Sequence, residues 1–463
     1  MHAVVVTDPY LVSEVLSKET EIEKSIEGVY SKFNVLLHAE GKPNIFTSHT
    51  NDYWKLVRKG VAPAFSSKNI RKGFGHVVQV NHQLISILDD SSSAEINLDN
   101  ATLRVTLDVI GRVGFGKDFG ATRDLSSGKA NLAFDMMEAG QPLPDDRIAA
   151  EIGVFFTGGF ETTGHTIAWT LFMISVHPEV EARVLAELRA LQLMPSAKRP
   201  QPRAMEYDDM ARLTYTSNAI KEAMRMLPVL ADGTNRTTTA DTRLGPYTIP
   251  KGTMVWVPLM GLFNSPRNWA DPDKYMPDRW EDPLAEYALP RDADAYEGEG
   301  QGRVKRFLPF SLGTRDCVGQ SLARMNTTTT VAMLLARFKF QLADKMGGKE
   351  GVLKSQSVAL STLQPEGGLW AHCIPRSLKG SQTGVHQMAA NGLPGMPRPS
   401  SSGQLEPLPE HPDASCTLDA PHLPSMNRQR SGALPAHLAL AKGDILPAKP
   451  GSKLGRSLPS RRD

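Results

Sequence analysis

Two short stretches carry residue types whose spacing could do chemistry. The first is Phe310-Ser311-Leu312-Gly313-Thr314-Arg315-Asp316-Cys317-Val318-Gly319, which places one cysteine in a glycine-punctuated loop directly before a helical pattern from Gln320 through Ala336. A thiol there meets the positive end of the helix dipole and a neighbouring guanidinium, Arg315, and both favour the thiolate. Backbone N–H groups freed at Gly313 and Gly319 are placed to bond the sulfur. A cysteine before a helix is more often an inert small hydrophobe, so the loop alone assigns nothing. The second stretch is Gly158-Gly159-Phe160-Glu161-Thr162-Thr163, inside a long helical pattern. Each glycine costs a helix interior roughly 1 kcal/mol relative to Ala, so something must approach the backbone there. The Thr162 hydroxyl can bond the carbonyl of Gly158, four residues back, and loosen the ladder. Helix–helix packing through small residues is the plainer explanation.

The elements that must position these residues are mostly helical. Pro9–Leu16 reads as a short amphipathic helix, Leu103–Val113 as a helix ended by a Gly-rich turn, and Asp145–Val176 as the longest helix, stopped by His177-Pro178. Glu179–Leu193 and Met210–Leu227 are further amphipathic helices. Gly245–Thr253 followed by Met254–Val257 reads as a β-hairpin or a pair of short strands. The expected class is mostly α with small β sheets.

Composition bounds the rest. The 463 residues carry a formal net charge of +2, which argues against bulk electrostatic binding of nucleic acid. Three cysteines exclude a disulfide framework and make a reducing compartment the default. No run approaches the roughly 20 apolar residues of a membrane span, and the start at Met1 has no signal-like composition. As written, the chain is expected to be soluble and cytoplasmic. Residues 1–376 form the expected folded body. Residues 377–463 hold 12 Pro and no Phe, Tyr or Trp, which predicts a disordered Pro-rich tail. Asp118-Phe119-Gly120 and Gly111–Gly116 lack the context that would make them kinase or dinucleotide motifs, and no zinc-ligand spacing occurs.

The full pattern Phe-x-x-Gly-x-Arg-x-Cys-x-Gly, Phe310 to Gly319, with Phe307 and Pro309 before it, resembles the haem-binding loop of the cytochrome P450 superfamily. Three further matches occur in the family's order. Glu222-Ala223-Met224-Arg225 resembles its Glu-x-x-Arg helix, and Tyr275-Met276-Pro277-Asp278-Arg279-Trp280 the segment whose Arg joins that pair. Gly158–Thr163 resembles the oxygen-activation segment, and Trp54-Lys55-Leu56-Val57-Arg58 the Trp-x-x-x-Arg helix.

The resemblance implies the P450 fold and haem b as cofactor, with Cys317 as thiolate ligand of the iron and Phe310 and Gly319 in the cofactor loop. It implies Trp54, Arg58, Arg236 and Arg315 at the haem propionates, and Glu161 and Thr162 as the catalytic acid–alcohol pair that delivers protons. It implies Glu222, Arg225 and Arg279 as a buried structural triad bracing the Cys loop. The implied activity is monooxygenation of a small lipophilic substrate with O2. Electrons would come from an NADPH-dependent flavoprotein reductase or a ferredoxin, for which Arg303, Lys305, Arg306 and Arg324 offer a cationic surface. An O2-independent isomerase or dehydratase and a truncated, non-catalytic haem binder are the alternatives. The pattern also looks incomplete. The family's N-terminal anchor has no counterpart, and Trp54 and Thr162 are only 108 residues apart, so the helices that roof the pocket have no room between Gly120 and Phe134. With the missing N-terminus restored, the endoplasmic reticulum surface or a plastid would be the expected location.

Overall fold

The computed structural model describes residues 2–376 apart from 19–20, 25–29, 31–43, 92–93, 128–145, 197, 289–302 and 360–361. The tail 377–463, and residues 128–134 of the stretch in which the roof helices are expected to be missing, lie outside the described residues.

The helices are α1 (Pro9–Ser17), α2 (Asp52–Val61), α3 (Ser67–Asp90), α4 (Leu98–Phe115), α5 (Ala121–Ser127), α6 (Asp146–Ser175), α7 (Pro178–Ala190), α8 (Thr214–Met226), α9 (Leu259–Asn264), α10 (Gln320–Arg337) and α11 (Gly348–Lys354). Their ends follow local chemistry. Asp8 accepts from the N–H groups of Tyr10 and Leu11 at the start of α1, and Asn51 accepts from Trp54 at 2.9 Å at the start of α2. Gly116, at φ +64°, closes α4 in the left-handed conformation that glycine adopts without penalty. The 30 residues of α6 make a rod about 45 Å long, and its apolar faces (Ile167, Trp169, Leu171, Phe172 and Ile174) sit at the centre of the main core.

The strands are β1 (Ala3–Val5), β2 (Ile22–Lys24), β3 (Glu95–Asn97), β4 (Thr234–Thr238), β5 (Thr242–Leu244), β6 (Tyr247–Ile249), β7 (Met254–Val257), β8 (Phe338–Leu342), β9 (Gln356–Ala359), β10 (Thr362–Pro365) and β11 (Trp370–Pro375). One four-stranded sheet runs β1-β7-β4-β2, with β1 parallel to β7 and the other pairs antiparallel. A three-stranded sheet runs β3-β11-β8, and β5-β6 and β9-β10 are separate two-stranded hairpins.

Of the two readings of Gly245–Val257, the pair of short strands holds: Tyr247–Ile249 pairs with β5 in a hairpin closed at Gly245 (φ +56°), and Met254–Val257 follows Gly252 (φ +77°) to pair with β1 and β4. Long-range pairing decides between the two readings. The helix expected over Met210–Leu227 is a 3-10 turn at Tyr207–Ala211 and then α8 from Thr214. The break is held by Glu187 of α7, whose carboxylate accepts from the N–H groups of Tyr215 (2.8 Å) and Thr216 (2.9 Å).

Candidate functional site: a cysteine loop facing a cation-walled cavity

Hydrogen bonds within the loop set the place of Cys317. Its N–H donates to Phe310 O (2.9 Å), Asp316 N–H to Gly313 O (3.2 Å) and Ser311 N–H to Leu308 O (3.0 Å). Gly313 takes φ +81°, a conformation costly for a residue with a Cβ. Gly319 caps α10, and its N–H bonds the Cys317 sulfur. The sulfur is packed in protein on its loop side yet accessible from a cavity of about 740 Å³. Burial is the largest influence on the thiol and pushes its pKa up; the Gly319 N–H pulls it down, Asp316 pushes it up, and Arg58 pulls it down.

The cation that pulls the thiol down is therefore Arg58, not the expected sequence neighbour Arg315. Arg58 of α2 donates to Asp316 O at 2.8 Å and pairs with the Asp316 carboxylate. The Arg315 guanidinium lies 4.4 Å from the centre of the Trp54 ring and donates to Ser48 O at 2.6 Å.

Arg236 of β4 is 1% exposed and lines the same cavity, and its Nε and Nη1 have no hydrogen-bond partner. Opposite it in the β2–β4 register stands Lys24, also buried and also lining the cavity. Like charges paired across strands repel. The Lys24 ammonium donates to Phe46 O and faces the Phe46 ring at 4.2 Å. Burial, Arg315 and Arg236, in that order, drive its pKa well below the usual lysine range. Nearby Glu23 accepts from Thr50 N–H (3.2 Å) and contacts His49 (3.0 Å). Sequence reasoning missed Lys24, because no spacing links it to Arg236; strand pairing alone brings them together. Orphaned guanidinium nitrogens beside the buried Lys24 and the half-buried Arg315 describe a seat for an anionic group, and a dicarboxylate such as haem fits it.

The cavity is also lined by Gly158, Glu161 and Thr162 of α6. The Thr162 hydroxyl donates to Gly158 O at 2.7 Å. The glycines divide their work. A Cβ on Gly158 would meet nothing within 4 Å, whereas one on Gly159 would press on the Ile110 side chain at 2.8 Å, and one on Gly164 on the Leu103 backbone at 3.0 Å. Close approach to another helix explains Gly159 and Gly164; Gly158 borders the open space. Glu161 accepts from the Thr362 hydroxyl of β10. That strand is fixed to α6 by Trp169 Nε1–H donating to Leu363 O (2.9 Å). Burial pushes the Glu161 carboxyl above the usual range, against the pull of Thr362 and His165.

Glu222, Arg225 and Arg279 meet as one network. Glu222 accepts from Arg225 Nε (3.0 Å) and Nη2 (2.9 Å), Arg279 Nε (2.9 Å), Trp280 Nε1 (3.0 Å) and Met276 N–H (3.1 Å). Arg225 also reaches Phe263 O and Pro272 O. Trp280 packs on Phe307 at 4.6 Å, and Phe307 leads into the Cys loop. One of the four expected surface cations is otherwise engaged: Arg306 is tied to Ala285 O and Asn268 O and lies 4.1 Å from Trp269, whereas Arg324 is exposed, 5.0 Å from the Phe310 ring.

These features define a mostly helical protein built around a cysteine loop at the head of a helix, with a long helix alongside a ligand-sized cavity. The family model described as Cytochrome P450 matches residues 1–139 and 121–366, and the chain belongs to the cytochrome P450 family. Members of this family bind haem through a cysteine thiolate. Among curated relatives, rat "Cytochrome P450 4F3" is 32% identical over 52% of this chain and 41% of its own length. Human "Cytochrome P450 4F12" is 27% identical over 73% of this chain and 58% of its own, and mouse "Leukotriene-B4 omega-hydroxylase 3" is 31% identical over 52% and 41%. The chain thus spans about half the length of these relatives. A crystal structure of a cytochrome P450 (CYP102L1) superposes with TM-score 0.63 at 19% identity, covering 81% of this chain and 89% of that one, which supports the mostly-α fold with small sheets. Among the described residues, no helix is long and apolar enough to cross a membrane.

Proposed function

We propose that this chain is a haem-thiolate monooxygenase acting on a lipophilic substrate: RH + O2 + two electrons + two protons gives ROH + H2O. The observation that carries the reading is that Cys317, the orphaned Arg236 guanidinium and the Glu161–Thr162 segment all line one cavity. Cys317 holds the iron, and the Gly319 N–H and Arg58 stabilise negative charge on its sulfur. Trp54, Arg58, Arg236, Arg315 and Lys24 hold the two propionates; the anions relieve the repulsion among the buried cations. Bound haem supplies the redox and oxygen-activating chemistry. Glu161 holds a proton at its carboxyl, directed by Thr362, and the Thr162 hydroxyl passes protons onward into the cavity. Glu222, Arg225 and Arg279 keep the Cys loop in register through Trp280 and Phe307.

Apolar side chains such as Phe65, Val109, Ile110 and Phe155 border the cavity and exclude water from the reacting atoms. Together with the likeness to the mouse leukotriene-B4 omega-hydroxylase, they favour a long-chain lipid as substrate. Electrons come from a flavoprotein reductase or a ferredoxin.

The test is a ferrous–carbon monoxide difference spectrum of the purified full chain, followed by oxidation of fatty-acid substrates with a reductase present. A band at the thiolate position that is lost in Cys317→Ser, together with oxygenated product, is expected. The same band and product from Cys317→Ser overturn the reading.

A further inference from the structure

Behind Glu161 lies a buried histidine–aspartate pair that the proposed reaction does not use. His165 follows Glu161 by four residues on α6, so the two side chains occupy successive turns of one helix face. His165 is 1% exposed and Asp99, in the first turn of α4, is 7% exposed. His165 Nδ1 and Asp99 Oδ1 are 2.7 Å apart. Taking an ionised pair out of water is costly, and an apolar pair of similar volume would pack α4 on α6 at least as well. The placement therefore calls for a reason beyond packing, and Glu161 is the titratable neighbour that provides one.

We propose that Asp99 and His165 are positioning residues for Glu161: Asp99 holds His165 as an imidazolium, and that charge sets the protonation of the Glu161 carboxyl from one helical turn away, while Thr362 fixes its direction. The proposal deepens the reading of Glu161 as proton donor and rests on it. Four influences act on the carboxyl, from its own helix and from the two elements packed against it. Burial disfavours its ionised form; the Thr362 hydroxyl from β10 and the His165 charge favour it; the Asp99 charge from α4 opposes it. A proton donor that must be refilled each turnover has to both ionise and reprotonate near neutral pH. Burial and the Asp99 charge raise the Glu161 pKa, and the Thr362 hydroxyl and His165 act against them.

The experiment uses the haem-loaded full chain. The Glu161 carboxyl stretch in infrared difference spectra, identified by its absence in Glu161→Gln, is followed against pH. In His165→Gln the midpoint rises by about one unit or more, as expected for loss of an opposite charge at this range. In the double variant His165→Gln/Asp99→Asn, which leaves no buried charge uncompensated, it falls back toward the wild-type value. Nitrogen-15 histidine shifts in the wild type, which need no variant to fold, report an imidazolium at His165 at neutral pH. An unmoved midpoint in His165→Gln, a double variant that stays where the single one sits, or a neutral His165 overturns the proposal. A merely structural pair would give the double variant no rescue. Failure of the underlying reading is separable: Glu161→Gln that retained full coupling of O2 use to product would remove Glu161 as donor and leave the titration untouched.

Discussion

Replacing Glu222 with Gln tests the brace behind the cysteine loop. The substitution keeps shape and removes one charge. In the wild type the Glu222 carboxylate is fully buried and accepts five hydrogen bonds, from Arg225, Arg279, Trp280 and Met276 N–H. Gln turns one acceptor oxygen into a donor, which then faces donors, and leaves the fully buried Arg225 with backbone carbonyls as its principal acceptors. Breaking a buried pair from one side costs about 3–5 kcal/mol. At roughly 2.1 cal/mol/K of unfolding entropy per residue, a body of roughly 370 residues then melts about 4–6 °C lower. The damage should be local as well, because Trp280 loses its acceptor and its ring supports Phe307 at 4.6 Å, at the entrance to the Cys loop. The assay is thermal melting by circular dichroism alongside the ferrous–carbon monoxide spectrum, with Glu350→Gln, which breaks the exposed pair to Lys354, as control. The expected result is a lowered Tm and loss of the thiolate-type band in Glu222→Gln, with the control unchanged. A Glu222→Gln protein that melts within about 1 °C of wild type and keeps its band would refute the reasoning.

Arg236→Met should weaken haem binding by about tenfold or more, the worth of a charge-assisted hydrogen bond, while raising the Tm of the haem-free protein by relieving Lys24; equal affinity by haem titration would contradict this. The raised pKa of Glu161 makes stability fall as pH rises from the unfolded-state value through the folded one, a cost absent at more acid pH. Glu161→Gln should therefore exceed wild type in Tm at neutral pH and lose that advantage below about pH 4, as read by melts across pH. Gly164→Ala should destabilise by about 1–3 kcal/mol because its methyl meets the Leu103 backbone. Gly158→Ala, with open space before it, should leave Tm equal or higher and instead perturb ligand-binding spectra; denaturant melts of both variants check this.

Much of the site is legible along the chain because its chemistry is local. The cysteine, its two loop glycines and the helix behind it occupy contiguous positions, and Thr162 reaches Gly158 through an i to i−4 contact that any helix provides. The start of α1, capped by Asp8 and opened by Pro9, and the end of α6 just before His177-Pro178 follow from the sequence in the same way. Non-local contacts are different. Nothing in the sequence places Lys24 across from Arg236, ties Arg58 to Asp316, sends Met254–Val257 to β1 and β4, or sets His165 against Asp99.

The sequence by itself determined the chemical identity of the centre: one thiol at a helix start, an acid–alcohol pair on a long helix, and a Glu-x-x-Arg pair with a distant Arg to join it. Tertiary structure alone decided which charges surround that centre and so how its groups titrate. Residue spacing fixes contacts within a turn of helix or a loop, whereas electrostatic environment depends on burial and on charges brought close in space by segments far apart in the chain.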